Sequence, residues 1–324
     1  MHDIYQSVTD KIISALDQGV VPWIKPWSSA GSASAHQPYP INAITRRPYS
    51  GINLPLLWAE ARMQGFSQDR WLTFNQAKKA GGHIRKGERS TLAVLYKPME
   101  REEKDESGRV VLDENGNTEV VRFAILRTHF LFNIEQTEGI EVLDEAPTET
   151  ESEASFQANT RAEQLLLSSG ARIVHRPADM AFYHPLRDFI QLPTKAQFHD
   201  EGGYYATALH ELTHWSGHYS RLRREGIISP SPFGSPSYAF EELVAEMGAA
   251  FLCAHAGIQG ELRHEGYLDS WLSLLKADKR AIFRASGQAR EASEYLLGLV
   301  RKPDDTMAGR TGSDAPATEV VMPL

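Results

Sequence analysis

Two spacings of apolar residues predict the helices and strands of this chain. In residues 3–18 apolar side chains recur at helical spacing, and Asp3 and Asp10 stand where a signal peptide would carry basic residues. This stretch therefore predicts an amphipathic helix and not a signal peptide. Two further helices are expected at residues 54–65 and 73–81. Two strands are expected at residues 91–99 and 119–133. Thr73 is expected to cap the second of these helices, and Gly65 to end the first.

The second half of the chain predicts a helix, then short strands, then a series of helices. The first helix is expected at residues 157–169. Short β segments follow at residues 171–176, 181–184 and 188–193. The later apolar repeats predict helices at residues 203–216, 238–256, 267–276, 278–285 and 288–300. The fold class is therefore α+β, with a mostly antiparallel sheet in the front half and a mostly helical back half.

An acidic stretch separates the two halves. Residues 138–155 are poor in aromatic residues and include Pro147, so they cannot support a hydrophobic core. The 324 residues are enough for two domains of ordinary size. The predicted division is a front domain, a linker, a back domain and a flexible tail, at residues 1–137, 138–155, 156–301 and 302–324.

The amino-acid composition indicates the cellular compartment of the protein and the charge of its partner. The single cysteine, Cys253, excludes a disulfide framework, and no apolar run reaches the roughly 18–20 residues that cross a bilayer. We therefore expect a cytoplasmic protein without a membrane partner. The net charge is -8, yet residues 44–99 contain 10 Lys and Arg against 3 Asp and Glu. A basic region inside an acidic protein indicates an anionic partner.

The segment HELTHWSGH, residues 210–218, has the spacing of a metal site. On a helix, residues four apart lie on one face, so His210 and His214 can direct two imidazole nitrogens at one ion. Zinc binds such nitrogens, and Glu211 is placed to act as general base on a water molecule at an open coordination position. The metzincin pattern would need a histidine where Ser220 stands, and we expect His218 to be a rim residue. The alternative is that both histidines are satisfied on a helix face without an ion.

A third ligand is expected from the later helix, which contains FEELVAEMGAAFL. We favour Glu242 as the ligand and Glu246, one turn further on, as the carboxylate that orients a ligating histidine. Glu241 and Glu246 could instead be solvated helix charges. The order of a β segment followed by the motif helix resembles that of zincin metallopeptidases. The predicted cofactor is Zn²⁺ or another divalent metal such as Mn²⁺.

Basic and aromatic residues interleave in the front half. Cations can follow a phosphate backbone while exposed rings stack on unpaired bases, a combination that suits single-stranded nucleic acid. The alternative is that Trp58, Trp71 and Phe74 belong to the core and the charges form a solvated face. The candidate nucleic-acid-binding residues are Arg46, Arg47, Tyr49, Asn53, Trp71, Lys78, Lys79, Arg85, Lys86 and Arg89.

Two groups of motifs resemble a known family. TRRPYSGINLPLLW and RWLTFNQAKKAGGHIRKGER resemble the N-terminal single-stranded-DNA-binding domain of ArdC-type antirestriction proteins, a domain that TraC-type plasmid primases also contain. HELTHWSGH, SRLRR and YAFEELVAEMGAAFL resemble the zincin-like (SprT/SPRTN-like) metallopeptidase domain that follows it. No primase catalytic motif accompanies them.

The resemblance implies a protein of a plasmid or other mobile element that enters a recipient cell in conjugation and protects single-stranded DNA from restriction. It implies His210, His214 and Glu242 as ligands and Glu211 as general base. A DNA-bound protein or a protein of the restriction system would be the second partner. Two alternatives remain open: a non-catalytic DNA-shielding protein with a structural metal site, and a metallopeptidase unrelated to restriction.

Overall fold

The computed structural model describes residues 3–24, 38–104, 107–111, 118–140, 151–258 and 267–300. The predicted tail and most of the predicted linker lie outside these residues. The helices are α1 (Ile4–Asp17), α2 (Asn53–Gln64), α3 (Phe74–Lys79), α4 (Glu151–Ser169), α5 (Glu201–Ser216), α6 (Glu225–Ile228), α7 (Pro236–Ala256), α8 (Leu268–Ala277) and α9 (Ala281–Leu299). None of these helices has both the length and the apolar surface needed to cross a membrane.

The strands form three sheets in the described part of the chain. They are β1 (Ile41–Asn42), β2 (Arg70–Thr73), β3 (His83–Ile84), β4 (Thr91–Glu102), β5 (Val120–Asn133), β6 (Thr137–Glu138), β7 (Arg172–His175), β8 (Phe182–His184) and β9 (Phe189–Leu192). The largest sheet has the order β1-β2-β5-β4, a small one pairs β3 with β6, and the back half contributes β7-β9-β8.

The front sheet confirms the predicted α+β architecture with mostly antiparallel pairing. β4 and β5 pair antiparallel along their length, and β2 pairs antiparallel with the end of β5. β1 joins β2 in parallel. The sequence did not predict β2, because Arg70, Trp71 and Leu72 are all buried and the strand has no alternation of apolar and polar residues.

Helix ends follow the predicted local chemistry. The Thr73 side chain accepts a hydrogen bond from the Gln76 backbone N–H and so begins α3 with a capping box. Gly65 ends α2 at a φ of 72°, a left-handed conformation that favours glycine. α4 begins at Glu151, six residues earlier than predicted.

The predicted break between residues 285 and 288 is wrong, because α9 continues through Gly287. Ala285, Ser286 and Ala289 are buried on either side of it, and their packing outweighs the low helix propensity of one glycine. The short helix α6 was not predicted.

One hydrophobic cluster contains side chains from both halves of the chain. Trp58 on α2 packs edge-to-face against Phe251 on α7, with ring centroids 6.1 Å apart. Trp23 makes a similar contact with Trp271 on α8, at 5.3 Å. The cluster also includes residues of α1, β4 and α9. The elements of the front half and of α7 therefore pack around one core.

Helices α5 and α7 approach each other closely at Gly248. A Cβ atom at this position would lie 2.5 Å from Cγ2 and 2.9 Å from Oγ1 of Thr213 on α5. The Thr213 hydroxyl donates a hydrogen bond to the Leu209 carbonyl, at 2.8 Å, which fixes its orientation. Gly248 thus sets the spacing between the two helices.

We predict that Gly248→Ala destabilises the protein by about 1–3 kcal/mol, because the new methyl group forces α5 and α7 apart. Urea denaturation followed by far-UV circular dichroism measures the change. Gly287→Ala is a matched control in another helix, where a Cβ meets no described atom within 4 Å. That control is expected to stabilise by about 0.5–1 kcal/mol. Equal effects of the two substitutions would contradict the proposed close contact.

Candidate metal centre and nucleic-acid surface

Helix α5 carries the HExxH residues on its buried face. The Asp200 side chain accepts a hydrogen bond from the Gly203 backbone N–H, at 2.6 Å, and caps the start of the helix. His210, Glu211 and His214 are all buried, with exposed fractions of 7–8%. The helix ends at Gly217, so His218 lies just beyond it.

The three predicted ligands lie together. Nε2 of His210 is 3.5 Å from one carboxylate oxygen of Glu242 on α7, and Nε2 of His214 is 3.5 Å from the other. One ligand atom from each residue falls within 4.8 Å of the others. The structure therefore brings together the two imidazoles and the carboxylate that the sequence analysis selected.

The other nitrogen of each imidazole faces a second glutamate. Nδ1 of His214 is 3.2 Å from Oε1 of Glu241, and Nδ1 of His210 is 3.7 Å from Oε1 of Glu246. A carboxylate on Nδ1 orients the ring so that Nε2 faces the ion, and it also raises the basicity of the ligand. Glu241 is within hydrogen-bond distance of His214, a contact that was not predicted from the sequence. Glu246, the residue predicted for this role, faces His210 at a distance too long for a hydrogen bond.

Arg224 fixes the position of Glu241. Its guanidinium donates to both carboxylate oxygens of Glu241, at 2.8–3.2 Å, and also to the Ser216 hydroxyl and the Thr213 carbonyl. Both Arg224 and Glu241 are buried. The sequence contains an indication of this pair. A buried carboxylate next to a metal ligand needs a cation, and the arginines of SRLRR lie shortly before the FEELVAE helix in the chain.

Glycines on the neighbouring segments leave room for this pair. A Cβ at Gly226 would lie 2.7 Å from Cβ of Glu241, and a Cβ at Gly217 would lie 2.8 Å from Cζ of Arg224. Larger residues at either position would displace the side chains that orient His214. The turn after α5 and the start of α6 are therefore part of the support of the site.

Burial and pairing shift the protonation of the cluster in opposite directions. Burial alone would lower the pKa of His214, but the Glu242 and Glu241 carboxylates outweigh it and raise the pKa to about 10. The same balance raises the pKa of His210. Burial opposes ionisation of Glu242, yet the two imidazolium groups hold its pKa well below its usual range. The cluster thus holds ion pairs, which a metal ion would replace.

Glu211 differs from the other carboxylates of the cluster. Its pKa is raised, chiefly by burial. Glu211 lines a cavity of about 1710 Å³ together with His210, His214 and Glu242. This cavity reaches from β8 to Val21 and Arg62 of the front half, so it has room for a chain segment of a second molecule.

The donor set fits a divalent metal ion. Two ligand atoms that each lie 2.0–2.1 Å from a tetrahedral metal ion are about 3.3–3.4 Å from each other. The two measured separations between an imidazole nitrogen and a Glu242 carboxylate oxygen are close to this, at 3.5 Å. His218 lies outside this group: its Nδ1 is 2.8 Å from the Ser220 hydroxyl. We therefore describe His210, His214 and Glu242 as the candidate metal centre.

The predicted nucleic-acid-binding residues separate into exposed and buried sets. Trp71 is 0% exposed, and its indole N–H donates to the buried Asp69 carboxylate, at 3.1 Å. The sequence-based assignment of Trp71 to base stacking is therefore wrong, because a ring inside the core cannot reach a base. Trp58, which also bonds Asp69, is equally buried, whereas Phe74 is 56% exposed and not part of the core.

Asn53 and Tyr49 are also occupied by internal contacts. The Asn53 side chain bonds the backbone N–H and carbonyl of Val94, at 2.8 and 2.9 Å, and so covers the free edge of β4. The Tyr49 hydroxyl accepts from the Asn42 amide, and its half-buried ring packs against the core. Burial raises the pKa of Tyr49. Both side chains are therefore engaged in contacts within the fold.

Exposed cations lie on elements that are tied together. The Asn42 and Gln76 side-chain amides exchange two hydrogen bonds, at 3.1 and 3.2 Å, and join the turn at residues 42–47 to α3. Arg46 is in this turn at a φ of 59°, a left-handed conformation. The cations of the turn, of α3 and of the following loop are exposed, apart from Arg46, which is partly exposed. They are Arg46, Arg47, Lys78, Lys79, Arg85, Lys86 and Arg89. We call this set the cationic surface.

Two family models match the chain, one on each half. Residues 2–132 match the N-terminal domain of the anti-restriction factor ArdC, and residues 160–288 match a zincin-like metallopeptidase. The chain is 35% identical over 296 residues to the uncharacterized protein y4eC of Sinorhizobium fredii, covering 91% of each chain. Two DNA primases TraC of Escherichia coli are 40% and 38% identical over 92% of this chain, which spans only 20% and 27% of their length.

Solved structures match over the same extent. The metal-free crystal structure of the antirestriction protein ArdC from plasmid R388 superimposes with a TM-score of 0.70 and 34% identity, over 92% of this chain and 98% of that one. Its Mn(II)-bound structure gives 0.70 and 33%, over 94% and 100%. A divalent-metal site is therefore consistent with both the fold and the donor set. The chain belongs to the ArdC antirestriction family, with an ArdC N-terminal domain and a zincin-like metallopeptidase domain.

Proposed function

We propose that this protein protects DNA entering a cell from restriction, by binding single-stranded DNA and acting on a DNA-associated protein through its metal centre. The observation that carries the proposal is the presence, in one chain, of a cationic surface and a cavity containing two imidazoles, Glu242 and Glu211. Protection of incoming DNA would take place in the cytoplasm. The division into a DNA-binding domain at 1–137 and a peptidase domain at 156–301 is part of this proposal.

The candidate metal centre supports hydrolysis of a peptide bond. His210, His214 and Glu242 would hold Zn²⁺ or Mn²⁺, which would supply Lewis-acid polarisation of a carbonyl group. Glu211 takes a proton from the attacking water molecule and passes it to the leaving amine. Glu241 holds the His214 imidazole in its orientation through the hydrogen bond at Nδ1, and Glu246 lies 3.7 Å from Nδ1 of His210. The cavity admits a chain segment beside these groups.

The cationic surface supports binding of a phosphate backbone. Four of its cations, Arg46, Arg47, Lys78 and Lys79, lie on a turn and a helix that the Asn42–Gln76 amide pair holds together. Contacts to phosphates do not depend on sequence, so incoming DNA of any sequence would be bound. DNA would then act as a tether that raises the concentration of a DNA-bound protein near the cavity.

A second function remains a candidate because the histidines and carboxylates alone would serve a structural metal site. In that case the protein would shield DNA without catalysis. Glu211 distinguishes the two, since it is not among the three grouped ligands. A variant that changes Glu211 alone therefore separates them.

For metal binding, we predict that His210→Ala and Glu242→Ala abolish measurable Mn²⁺ and Zn²⁺ binding in isothermal titration calorimetry. Glu241→Gln, which perturbs the orientation of His214, should weaken binding by about 10- to 100-fold. His218→Ala is the control, because His218 lies outside the ligand group, and it should retain the affinity and stoichiometry of the intact protein. Loss of binding in the control, or retention in Glu242→Ala, would show that the ligand set is wrong.

For DNA binding, we predict that the intact protein prefers single-stranded to duplex DNA and that its affinity falls as salt rises. Lys78→Ala/Lys79→Ala should weaken binding and make it less salt-dependent, since each lost phosphate contact removes about 0.7 from the slope of log affinity against log salt. Fluorescence anisotropy at two salt concentrations measures both.

The control for DNA binding is Arg176→Ala/Arg187→Ala, which removes two exposed cations of the back half. It changes the net charge by the same amount, so it tests whether position or total charge matters. Equal weakening by both double variants would argue against a defined cationic surface, and no binding by the intact protein would remove the DNA part of the proposal.

For catalysis, we predict that Glu211→Gln keeps the metal and DNA affinities and loses protection of transferred DNA in a conjugation assay with a restricting recipient. The amide replaces the carboxylate at the same volume but cannot accept the proton. Protection equal to that of the intact protein would favour the non-catalytic, shielding function.

A further inference from the structure

Two large aromatic rings are exposed on the front half. The Phe74 side chain, at the start of α3, is 56% exposed, and the Phe130 side chain on β5 is 58% exposed. Neither ring belongs to a hydrophobic cluster of the described residues. A single exposed apolar side chain is common on protein surfaces, but two exposed aromatic rings on neighbouring elements beside cations indicate a binding surface.

The register of the front sheet places the two phenylalanines next to each other, at the end of the ladder between β2 and β5. Thr73, the last residue of β2, is opposite Leu131 on β5. Phe74, the first residue of α3, directly follows Thr73, and Phe130 directly precedes Leu131 on β5. Side chains alternate along a strand, which puts Phe130 on the same face of the sheet as Phe132, the partner of Leu72.

Helix α3 lies on this face. Leu72 packs with Ala77 of α3 in one small hydrophobic cluster, so the face that carries Leu72 and Phe132 is the one that α3 partly covers. Phe130 therefore emerges next to α3, the helix that begins with Phe74. The two rings border the same part of the surface.

Cations of the cationic surface adjoin the rings. Phe74 and Lys78 are four residues apart on α3 and share one face of the helix. Lys79 follows, and the turn with Arg46 and Arg47 is bonded to the same helix through Gln76. Rings that stand among cations match a ligand that is both anionic and aromatic.

We propose that Phe74 and Phe130 stack on unpaired nucleobases while the neighbouring cations bind the phosphates. This inference rests on the proposed single-stranded-DNA binding and adds a reason for strand selectivity. In a duplex the faces of the bases are covered by their neighbours, whereas the faces of unpaired bases are accessible to a side-chain ring. Cations alone bind both forms, so the phenylalanines supply the discrimination.

The test compares two oligonucleotides of equal length, an oligothymidylate and an abasic oligodeoxynucleotide, each about 16 nucleotides long. Binding to the full chain is measured by fluorescence anisotropy. The variants are Phe74→Leu and Phe130→Leu, singly and together, because leucine keeps an apolar side chain but lacks the aromatic face. Leu186→Ala is the matched control, since Leu186 is 91% exposed on the back half.

The double leucine variant is expected to bind oligothymidylate at least about tenfold more weakly than the intact protein and to bind the abasic oligonucleotide equally well. Phe74→Trp should retain the affinity, and its fluorescence should be quenched on binding. The salt slope should not change, because the phosphate contacts remain. Unaltered oligothymidylate affinity in the double variant would overturn the stacking inference alone, whereas no binding of either oligonucleotide by the intact protein would overturn the DNA-binding proposal beneath it.

Discussion

The contact between α5 and α7 is the constraint on which the candidate metal centre depends. α5 contributes His210 and His214, and α7 contributes the three carboxylates that face their ring nitrogens. A buried charge without a partner costs several kcal/mol, so each helix needs the other to stabilise its own ionisable groups. The same geometry that pairs these charges leaves both Nε2 atoms directed at one carboxylate. Gly248 permits the approach, and Arg224 neutralises the carboxylate that would otherwise add surplus negative charge.

Helix α7 also connects the candidate metal centre to the front half of the chain, which carries the cationic surface. One of its faces carries Glu242 and Glu246, whereas the opposite face places Phe251 against Trp58 of α2. The Tyr39 hydroxyl donates to the Phe251 carbonyl, at 3.3 Å, which ties the segment before β1 to the same helix. Asn53, at the start of α2, holds the edge of β4. A displacement of α7 would therefore be transmitted to the sheet, and the two halves are not independent bodies joined by a tether alone.

The parts of the molecule that sequence predicts well are those governed by local spacing. The i, i+4 histidines, the amphipathic helix α1 and the Thr73 cap depend on residues within one or two turns. Long-range packing decides the rest: Trp71 resembles a stacking residue in sequence, yet its indole bonds the buried Asp69. Glu241 resembles a solvated charge until Arg224, 17 residues before it, is brought beside it. Gly287 resembles a helix end, but the packing of α9 against its neighbours overrides its low propensity.

Glu211 gives the strongest physical argument that the centre is more than a structural support. A structural site needs ligands and groups that orient them. His210, His214 and Glu242 are the candidate ligands, and Glu241 and Glu246 face the other nitrogens of the two imidazoles. Glu211 belongs to neither class, yet it is buried beside them and lines the cavity. Burying a further carboxylate in such a site is unfavourable for stability alone. A proton acceptor beside the candidate metal centre and open to a cavity would account for that cost, because the hydrolysis proposed above requires a base at this position.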